Sequence, residues 1–417
     1  MRRGHDHDDG AHRGRGMRPL KVLISLDDAL AILLSLARPQ QAVERVSLRD
    51  ALRRVAAVDV VSRIPVPLVD RAAMDGFAVR AADTFGAGRM RPATLRRVET
   101  LYASSVPRKR VGRGTCVEVA TGSTLPRGAD AVVMVEDTER EGDRVHVYTP
   151  VHPGENVSPQ GEDIRKGEAV VHAGEVLTPA KIGAVAAIGG KDVAVFSRPR
   201  VAIFTTGDEV VPPGRPIRPG QVYDINAHTM AAIVRESGGD PVPLGRVPDR
   251  IASLRAAIRK ASGHDLVLFS GGSSVGEKDL VLDALRAEGE VKFHGVAVKP
   301  GKPTVLGIVR GTPVLGMPGY PTSCLSNGYM LVAPMLRRMA RLPPDLTRVV
   351  ELPLSKRLVS AIGRVEFHTV QVRDGLAVPA YKESGAITSM AYADGYIEIP
   401  ANVDLVDKGE TVRVILF

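Results

Sequence analysis

Residues 198–342 alternate short apolar runs with helix-like segments, and this alternation limits the possible folds more than any other feature of the chain. The apolar runs are rich in Val, Ile and Leu, which favours buried strands. Strands that alternate with helices predict an α/β domain with a mainly parallel sheet. The predicted strands lie at 201–204, 266–269, 291–298, 304–308 and 313–315, and the predicted helices at 224–237, 250–262 and 278–287. Ligands of such sheets bind beyond the carboxyl ends of the strands, so the loops at those ends are the first candidate sites.

The rest of the chain divides around this domain. Ser25 with Asp28, and Ser47 with Asp50, match the capping box and predict two short helices near the start. The segment between these predicted helices and the α/β domain has short β-type runs separated by Gly and Pro. The segment after the α/β domain has the same pattern. We predict a disordered tail at 1–18, a small discontinuous α+β domain at 19–63 plus 168–197, an inserted mostly β domain at 64–167, the α/β domain at 198–345, and a small β-barrel or sandwich at 346–417.

The cysteine count, the net charge and the aromatic content limit the compartment and the kinds of partner expected for this chain. Two cysteines in 417 residues exclude a disulfide framework and a zinc finger, and they indicate a reducing compartment, so we predict a cytoplasmic protein. The formal net charge of +9 favours an anionic partner. With 8 Tyr, 8 Phe and no Trp, the chain has few rings to stack on bases, and we predict no nucleic-acid partner. Proline and glycine interrupt the uncharged run at 311–336, which predicts buried elements rather than a membrane partner.

Two of the predicted strand-end loops carry acidic or glycine-rich segments. In the loop at 205–209, a carboxylate such as Glu209 either holds a hard cation like Mg²⁺ or caps a helix, and the sequence leaves both open. The loop at 270–276 reads Ser-Gly-Gly-Ser-Ser-Val-Gly before a predicted helix, where backbone N–H groups form an anion site. Its spacing matches neither a Walker A loop nor a dinucleotide fingerprint. Asp279, one turn later, is a candidate for metal contact or for capping.

The other two loops combine prolines with cations or with a helix start. Lys299 and Lys302 lie on a stiff Lys-Pro-Gly-Lys-Pro turn, which suits a dianion such as phosphate, sulfate or an oxometallate. Pro318 and Pro321 precede a helix predicted at 324–338. Cys324 is interpreted as a packed residue rather than a nucleophile, because no histidine is near it in sequence. Together the loops suit a phosphorylated substrate with a second oxyanion, and catalysis by positioning and charge neutralisation.

Eight sequence blocks, in this order, resemble the molybdopterin molybdenumtransferase family. The blocks lie at 71–79, 120–123, 161–164, 206–209, 224–226, 270–276, 299–303 and 318–321. The family inserts molybdenum into adenylylated molybdopterin and includes the gephyrin E domain. The resemblance spans about residues 20–417 and implies a homodimer of four-domain subunits, with an α/β molybdopterin-binding domain and a C-terminal β-barrel. It also implies an active site between the α/β domain of one subunit and the inserted domain of the other.

The resemblance assigns functional positions to this chain. It implies catalytic roles for Asp75, Thr121, Asp163, Glu209, Lys299, Lys302, Pro318 and Pro321. It implies binding of adenylyl-molybdopterin by Asn226, Asp249, Ser270, Gly271, Gly272, Ser274 and Gly276, and of Mg²⁺ by Glu209 and Asp279. The implied oxyanion is molybdate or tungstate, two tetrahedral dianions that the sequence does not distinguish. The implied partners are the molybdopterin adenylyltransferase and acceptor molybdoenzymes.

Two departures and two alternatives accompany the resemblance. Gly295 stands where some members have a lysine, so that oxyanion contact is either absent or supplied by Lys292 or His294, and Tyr320 replaces a common asparagine. One alternative function is the preceding step, adenylylation of molybdopterin by ATP, whose enzymes resemble the α/β domain alone. The other is a non-catalytic scaffold of the gephyrin type. The extra domains and the retained acidic and lysine positions favour the insertion enzyme.

Overall fold

The computed structural model describes residues 23–271, 279–344, 348–380 and 386–417, so the predicted tail at 1–18 lies outside the described residues. The chain forms two compact units. One joins the described residues up to Ala42 with Phe196–Phe417, and the other is Val43–Val195. Among the described residues, no helix combines the length and the apolar character needed to cross a membrane.

The first unit is built on a six-stranded central sheet. Its strands, in spatial order, are Asp240–Val247, Arg200–Thr206, Leu266–Ser270, Thr312–Met317, Val305–Val309 and Glu290–His294. The first four are parallel, and each of the last two is antiparallel to the strand before it. Two reversals bring Glu290–His294 back to the direction of the parallel strands, so its last residue lies at their carboxyl edge. The sheet is therefore mixed: four neighbouring strands are parallel, as predicted, and the two strands at one edge pair antiparallel, which the sequence did not indicate.

Helices pack on both faces of this sheet, and the strand residues alternate between the two layers. On Arg200–Thr206, Val201 and Ile203 enter one core cluster, whereas Ala202 and Phe204 enter the other. This period of two is the normal consequence of strand geometry. The helices are Leu26–Leu36, Asn226–Glu236, Ile251–Ala261, Leu280–Glu288, Pro321–Asn327 and Ala333–Met339. A short parallel ribbon, Val210–Val211 with Val222–Tyr223, lies outside the central sheet.

The helix Leu26–Leu36 begins as predicted but packs elsewhere than predicted. Ser25 caps it, with its Oγ accepting the Asp28 N–H at 3.0 Å. The sequence predicts that residues 19–63 belong to one small domain, yet Leu26 and Leu33 are buried in a core cluster of the first unit. The apolar face of the helix predicts burial but does not specify which core it joins.

Two other predicted elements are interrupted. The strand predicted at 291–298 is two strands, Glu290–His294 and Val298–Lys299, because Gly295 adopts a φ of +95° between them. The helix predicted at 324–338 is Pro321–Asn327, a five-residue π-helical turn at Gly328–Val332, and Ala333–Met339. Pro334 lacks the N–H that would continue regular α-helical bonding, which explains the break.

The C-terminal part of the first unit forms a second six-stranded sheet. Its strands, in order, are Val298–Lys299, Val365–Arg373, Gly395–Ile399, Thr411–Leu416 and Val349–Pro353, with Leu376–Pro379 paired to Val365–Arg373. A bridge between Leu354 and Ala377 joins two edges, so the sheet curls as the predicted barrel would. A helical turn at Thr388–Ala391 and a ribbon of Leu358–Val359 with Leu405–Val406 complete it. Val298–Lys299 thus connects the two sheets of this unit.

The second unit is mostly β. Its main sheet has the order Ala131–Met134, Gly76–Val79, Thr115–Val119, Ala93–Leu101, Arg144–Val147 and Thr138–Glu141. Three ribbons pair Val43–Ser47 with Asp192–Phe196, Val60–Val61 with Ala169–Val171, and Arg71–Ala72 with Val157–Ser158. The helix Pro179–Ala187 and the 3₁₀ turns Leu48–Asp50, Ala81–Asp83 and Val135–Asp137 complete it. The second predicted short helix is therefore a single 3₁₀ turn.

Candidate functional site

Loops that follow three neighbouring parallel strands meet at the carboxyl edge of the central sheet. The strands end at Thr206, Ser270 and Met317. Asn226 joins two of the loops, because its Nδ2 donates to Ser270 Oγ at 2.5 Å and to the Gly319 carbonyl at 2.8 Å. Asn226 is 7% exposed, and its Oδ1 has no hydrogen-bond partner among the described residues. A buried amide oxygen without a donor is costly, so this atom is suited to accept a hydrogen bond from a ligand.

Glycine at position 271 lets two of these loops pack backbone to backbone. Gly271 has a φ of +90°, and a Cβ there would lie 2.7 Å from the Thr206 carbonyl oxygen. Only glycine fits this conformation and this close approach. Gly272, Ser274 and Gly276 lie outside the described residues. The anion-binding role of the 270–276 loop therefore stays a prediction.

Three carboxylates cluster beside the Thr206 loop. Asp208 accepts a hydrogen bond from Arg246 at 3.1 Å, and Glu209 is exposed on the same loop. Burial raises the pKa of the half-buried Asp249 carboxyl, the Asp208 carboxylate raises it further, and the Thr206 hydroxyl opposes both. The negative charge here favours a proton on Asp249 or a cation beside it. The structure thus places Glu209 and Asp249 close enough for the charge of Glu209 to act on the Asp249 carboxyl.

Asp279 is occupied by contacts within the protein. Its Oδ1 accepts the Leu282 N–H at 2.9 Å as a helix cap, and its Oδ2 lies 3.0 Å from His294 Nε2. The side chain is only 10% exposed. With both oxygens engaged, Asp279 does not fit a direct Mg²⁺ ligand well. Nor do the described ranges contain any group of three or more His, Cys, Asp or Glu side chains placed to hold a metal.

His294 lies at the same carboxyl edge, whereas Lys292 does not reach it. His294 is the last residue of its strand and points its Nε2 to Asp279. Lys292 forms an ion pair with Glu290 at 2.7 Å, near the start of that strand. Of these two residues, only His294 therefore lies at the carboxyl edge of the sheet. Its contact with Asp279 was not predicted.

Hydrogen bonds from the buried Asn327 side chain fix the Lys-Pro-Gly-Lys-Pro turn. This fully buried amide donates from Nδ2 to the Gly301 carbonyl at 2.8 Å and to Thr304 Oγ1 at 2.6 Å. Gly301 has a φ of +109°, and a Cβ there would lie 2.3 Å from Asn327 Oδ1. These contacts and the glycine-only conformation constrain the backbone that carries both lysines.

The two lysines of this turn have different surroundings. Lys299 Nζ donates to Glu366 Oε1 at 2.7 Å, although the lysine side chain is still 46% exposed. Lys302 is half-buried and forms no ion pair with any described residue. Glu366 was missed by the sequence analysis. The available signal was an acidic residue two positions before His368 on a predicted strand, a spacing that puts both side chains on one face.

The Pro318 loop closes the edge next to Asn226. Pro318 is buried, Pro321 is the first residue of its helix, and Tyr320 is 66% exposed. Cys324 is fully buried, with its Sγ 3.9 Å from Ser270 Oγ. Burial raises the pKa of the Cys324 thiol to about 12, so it is protonated at neutral pH. Full burial and a raised pKa agree with the prediction of a packed cysteine.

In the second unit, Asp75 and Thr121 are brought together from distant positions. Asp75 Oδ1 accepts hydrogen bonds from the Thr121 N–H at 2.6 Å and from its hydroxyl at 2.8 Å. These two bonds lower the pKa of Asp75, so the carboxylate is charged at neutral pH. Asp163 is exposed on another turn, whose backbone N–H donates to the Val66 carbonyl at 3.0 Å. Within the described part of this unit, no hydrogen bond joins Asp163 to the other two.

Family models match three consecutive regions of the chain. The MoeA N-terminal region (domain I and II) matches residues 24–189. A probable molybdopterin binding domain matches residues 202–338, and the MoeA C-terminal region (domain IV) matches residues 351–417. The matches to the N- and C-terminal regions extend the likeness well beyond the α/β domain.

Relatives and solved structures match almost the full chain. A molybdopterin molybdenumtransferase 2 of Mycobacterium tuberculosis is 34% identical, over 88% of this chain and 94% of its own length. A molybdopterin molybdenumtransferase of Haemophilus influenzae is 31% identical, over 94% and 98%. The crystal structure of a molybdopterin biosynthesis MoeA protein from Pyrococcus horikoshii has a TM-score of 0.82 at 32% identity, over 95% of this chain and 100% of that one. From its sequence and its fold alike, the chain belongs to the molybdopterin molybdenumtransferase (MoeA) family of molybdenum cofactor biosynthesis.

Proposed function

We propose that this protein inserts molybdenum from molybdate into adenylylated molybdopterin and releases AMP. One observation carries the proposal: a stiff cationic turn and the Asn226-linked loops belong to the same α/β domain. Lys299 and Lys302 supply positive charge for a tetrahedral dianion, and the orphaned Asn226 Oδ1 supplies an acceptor for a bound ligand. Such a site acts by positioning and by neutralising charge, without a covalent intermediate on the protein.

The roles of the remaining positions follow from this proposal. Ser270, Gly271 and Asp249, with Gly272, Ser274 and Gly276, would hold the phosphate and pterin end of adenylyl-molybdopterin. Lys299, Lys302, Pro318 and Pro321 would hold the oxyanion near the dithiolene. Glu209 is the exposed carboxylate that would face a cation brought in with the substrate, whereas Asp279 is engaged by Leu282 and His294.

The test is oxyanion-dependent AMP release. Purified protein is mixed with adenylyl-molybdopterin, Mg²⁺ and either molybdate or tungstate, while AMP and incorporated metal are followed. We expect Lys302→Met to lower this rate by about 30-fold, the effect of losing a hydrogen bond from a charged group. The matched control is Lys260→Met, which removes an exposed lysine from the end of helix Ile251–Ala261, at the opposite edge of the sheet, and should leave the rate unchanged.

Three outcomes would contradict the proposal. AMP release that is independent of both oxyanions would show that the protein does not couple this reaction to metal insertion. ATP-dependent adenylylation of molybdopterin by the protein would assign it the preceding step instead. Tight binding of adenylyl-molybdopterin without turnover would favour a scaffold or a carrier that delivers to acceptor molybdoenzymes.

A homodimer is part of the same proposal, with Asp75, Thr121 and Asp163 of one subunit completing the site on the α/β domain of the other. Exposed apolar side chains in the second unit support it, among them Leu68 (54%), Val61 (47%) and Met74 (46%), since such residues gain by burial against a partner. Sedimentation velocity should give a species of about twice the 44.5 kDa of one chain. A monomer at assay concentration would contradict the proposal that two subunits share the site.

A further inference from the structure

Glu366 is a buried carboxylate with three hydrogen-bond donors. Its side chain is 2% exposed. Oε1 accepts from Lys299 Nζ at 2.7 Å and from the Ala361 N–H at 2.9 Å, and Oε2 lies 2.7 Å from His368 Nε2. A buried charge is stable only when it is paired and hydrogen-bonded, and this one is both. Burial alone would raise its pKa, but the bonds from Lys299, Ala361 and His368 outweigh burial and hold the pKa below its usual value.

The backbone sets this contact in register. Val298 pairs with Val365, and Lys299 with Glu366, as parallel neighbours in the C-terminal sheet. The Ala297 carbonyl accepts the Val365 N–H at 2.9 Å just before this pairing. The lysine turn of the α/β domain is therefore attached to the C-terminal sheet by both backbone and side chain. Lys302, three residues later, has no such attachment among the described residues.

The ion pair orients Lys299 without burying it. The ammonium has three protons, and one of them is directed at Glu366. Because the lysine side chain is 46% exposed, its other protons remain available on the side of the turn. A flexible four-carbon side chain loses considerable conformational freedom when it is fixed. A residue that fixes it before the ligand arrives removes that cost from binding.

We propose that Glu366 is a positioning residue, which holds the Lys299 ammonium in place for a tetrahedral oxyanion bound at the Lys-Pro-Gly-Lys-Pro turn. This inference rests on the proposed function. It assigns the C-terminal domain a direct part in oxyanion binding. Glu366 itself carries negative charge and does not contact the anion; it acts through Lys299.

A double-mutant cycle on kcat/KM for molybdate tests this role, with AMP release as the readout. Glu366→Gln should raise KM for molybdate by about tenfold and leave kcat nearly unchanged, a coupling typical of directly bonded side chains. In a Lys299→Met background the same substitution should have no further effect. In a Lys302→Met background, the matched control, its tenfold effect should persist, because Lys302 does not contact Glu366.

Several results would overturn the inference. One is an equal effect of Glu366→Gln in the wild-type and Lys299→Met backgrounds, which would make the carboxylate merely structural. Another is a lower KM for molybdate in Glu366→Gln than in the wild type, which would mean that the carboxylate only offsets the lysine charge. If Glu366→Gln unfolds at assay temperature, Glu366→Asp replaces it, since aspartate keeps the buried charge but withdraws it from Lys299 by one methylene. A wild-type protein without oxyanion-dependent AMP release would refute the proposed function first, and this inference with it.

Discussion

Gly301→Ala should lower oxyanion-dependent AMP release by at least about 100-fold, the loss expected when groups that position a substrate move by about 1 Å. The added Cβ would lie 2.3 Å from Asn327 Oδ1, and the φ of +109° is unfavourable for alanine. Asn327 is fully buried and cannot rotate away without giving up its bonds to Gly301 and Thr304. The turn must therefore shift, and Lys299 and Lys302 shift with it. AMP release and thermal melting of the variant are measured together.

Gly311→Ala is the matched control. Gly311 has a φ of +83°, but a Cβ there meets no atom within 4 Å. It lies in the hairpin between Val305–Val309 and Thr312–Met317, at the opposite edge of the sheet. Both variants place alanine at a positive φ, which costs about 1–3 kcal/mol, but only Gly301→Ala adds a clash with Asn327. Equal rates of AMP release by the two variants would contradict a role for the lysine turn in binding the oxyanion.

Gly76→Ala should destabilise the second unit by at least about 3 kcal/mol, the upper range for overpacking a buried position. A Cβ at this position would lie 1.9 Å from the Val133 carbonyl oxygen of the neighbouring strand. Gly76–Val79 is a central strand, paired on both sides, so it has no free edge toward which to move. Thermal unfolding followed by circular dichroism should show a melting temperature lower by on the order of 10 °C.

The comparison for this variant is Gly88→Ala in the same unit. A Cβ added at Gly88 would meet no atom within 4 Å, and the residue has no left-handed φ, so alanine is accepted there. Gly76→Ala should also loosen Asp75, whose carbonyl accepts the Val135 N–H from the adjoining segment. Unchanged melting of Gly76→Ala would mean that the two strands separate freely, contrary to their close packing.

Local sequence signals predicted many of the elements well. The capping box of Ser25 and Asp28 marked the first helix, and the apolar runs marked four of the six strands of the central sheet to within two residues. These features depend on neighbours in sequence, and so they are visible in it. The eight sequence blocks, taken in order, predicted the family itself, and the matches to the family models confirm that prediction.

Contacts between distant segments were not predictable in this way. Glu366 and Lys299 are 67 residues apart, and only the pairing of their strands brings them together. The helix Leu26–Leu36 had an apolar face, but nothing local specified that it would join a core built mainly from segments far along the chain. By its place after a loop, Asp279 is a candidate for metal contact or for capping, and only the structure shows that it caps a helix at Leu282 and contacts His294.

The sequence by itself determined the α/β class of the central domain, the family and the chemical character of the four strand-end loops, because periodicity, glycine and proline positions and charge are local properties. The tertiary structure alone decided which of those charged groups remain available. Lys302 remains without an ion pair among the described residues, Lys299 is oriented by Glu366, and Asp279 is engaged. The physical reason is that hydrogen bonds and burial act over a few ångströms in space, whatever the distance along the chain.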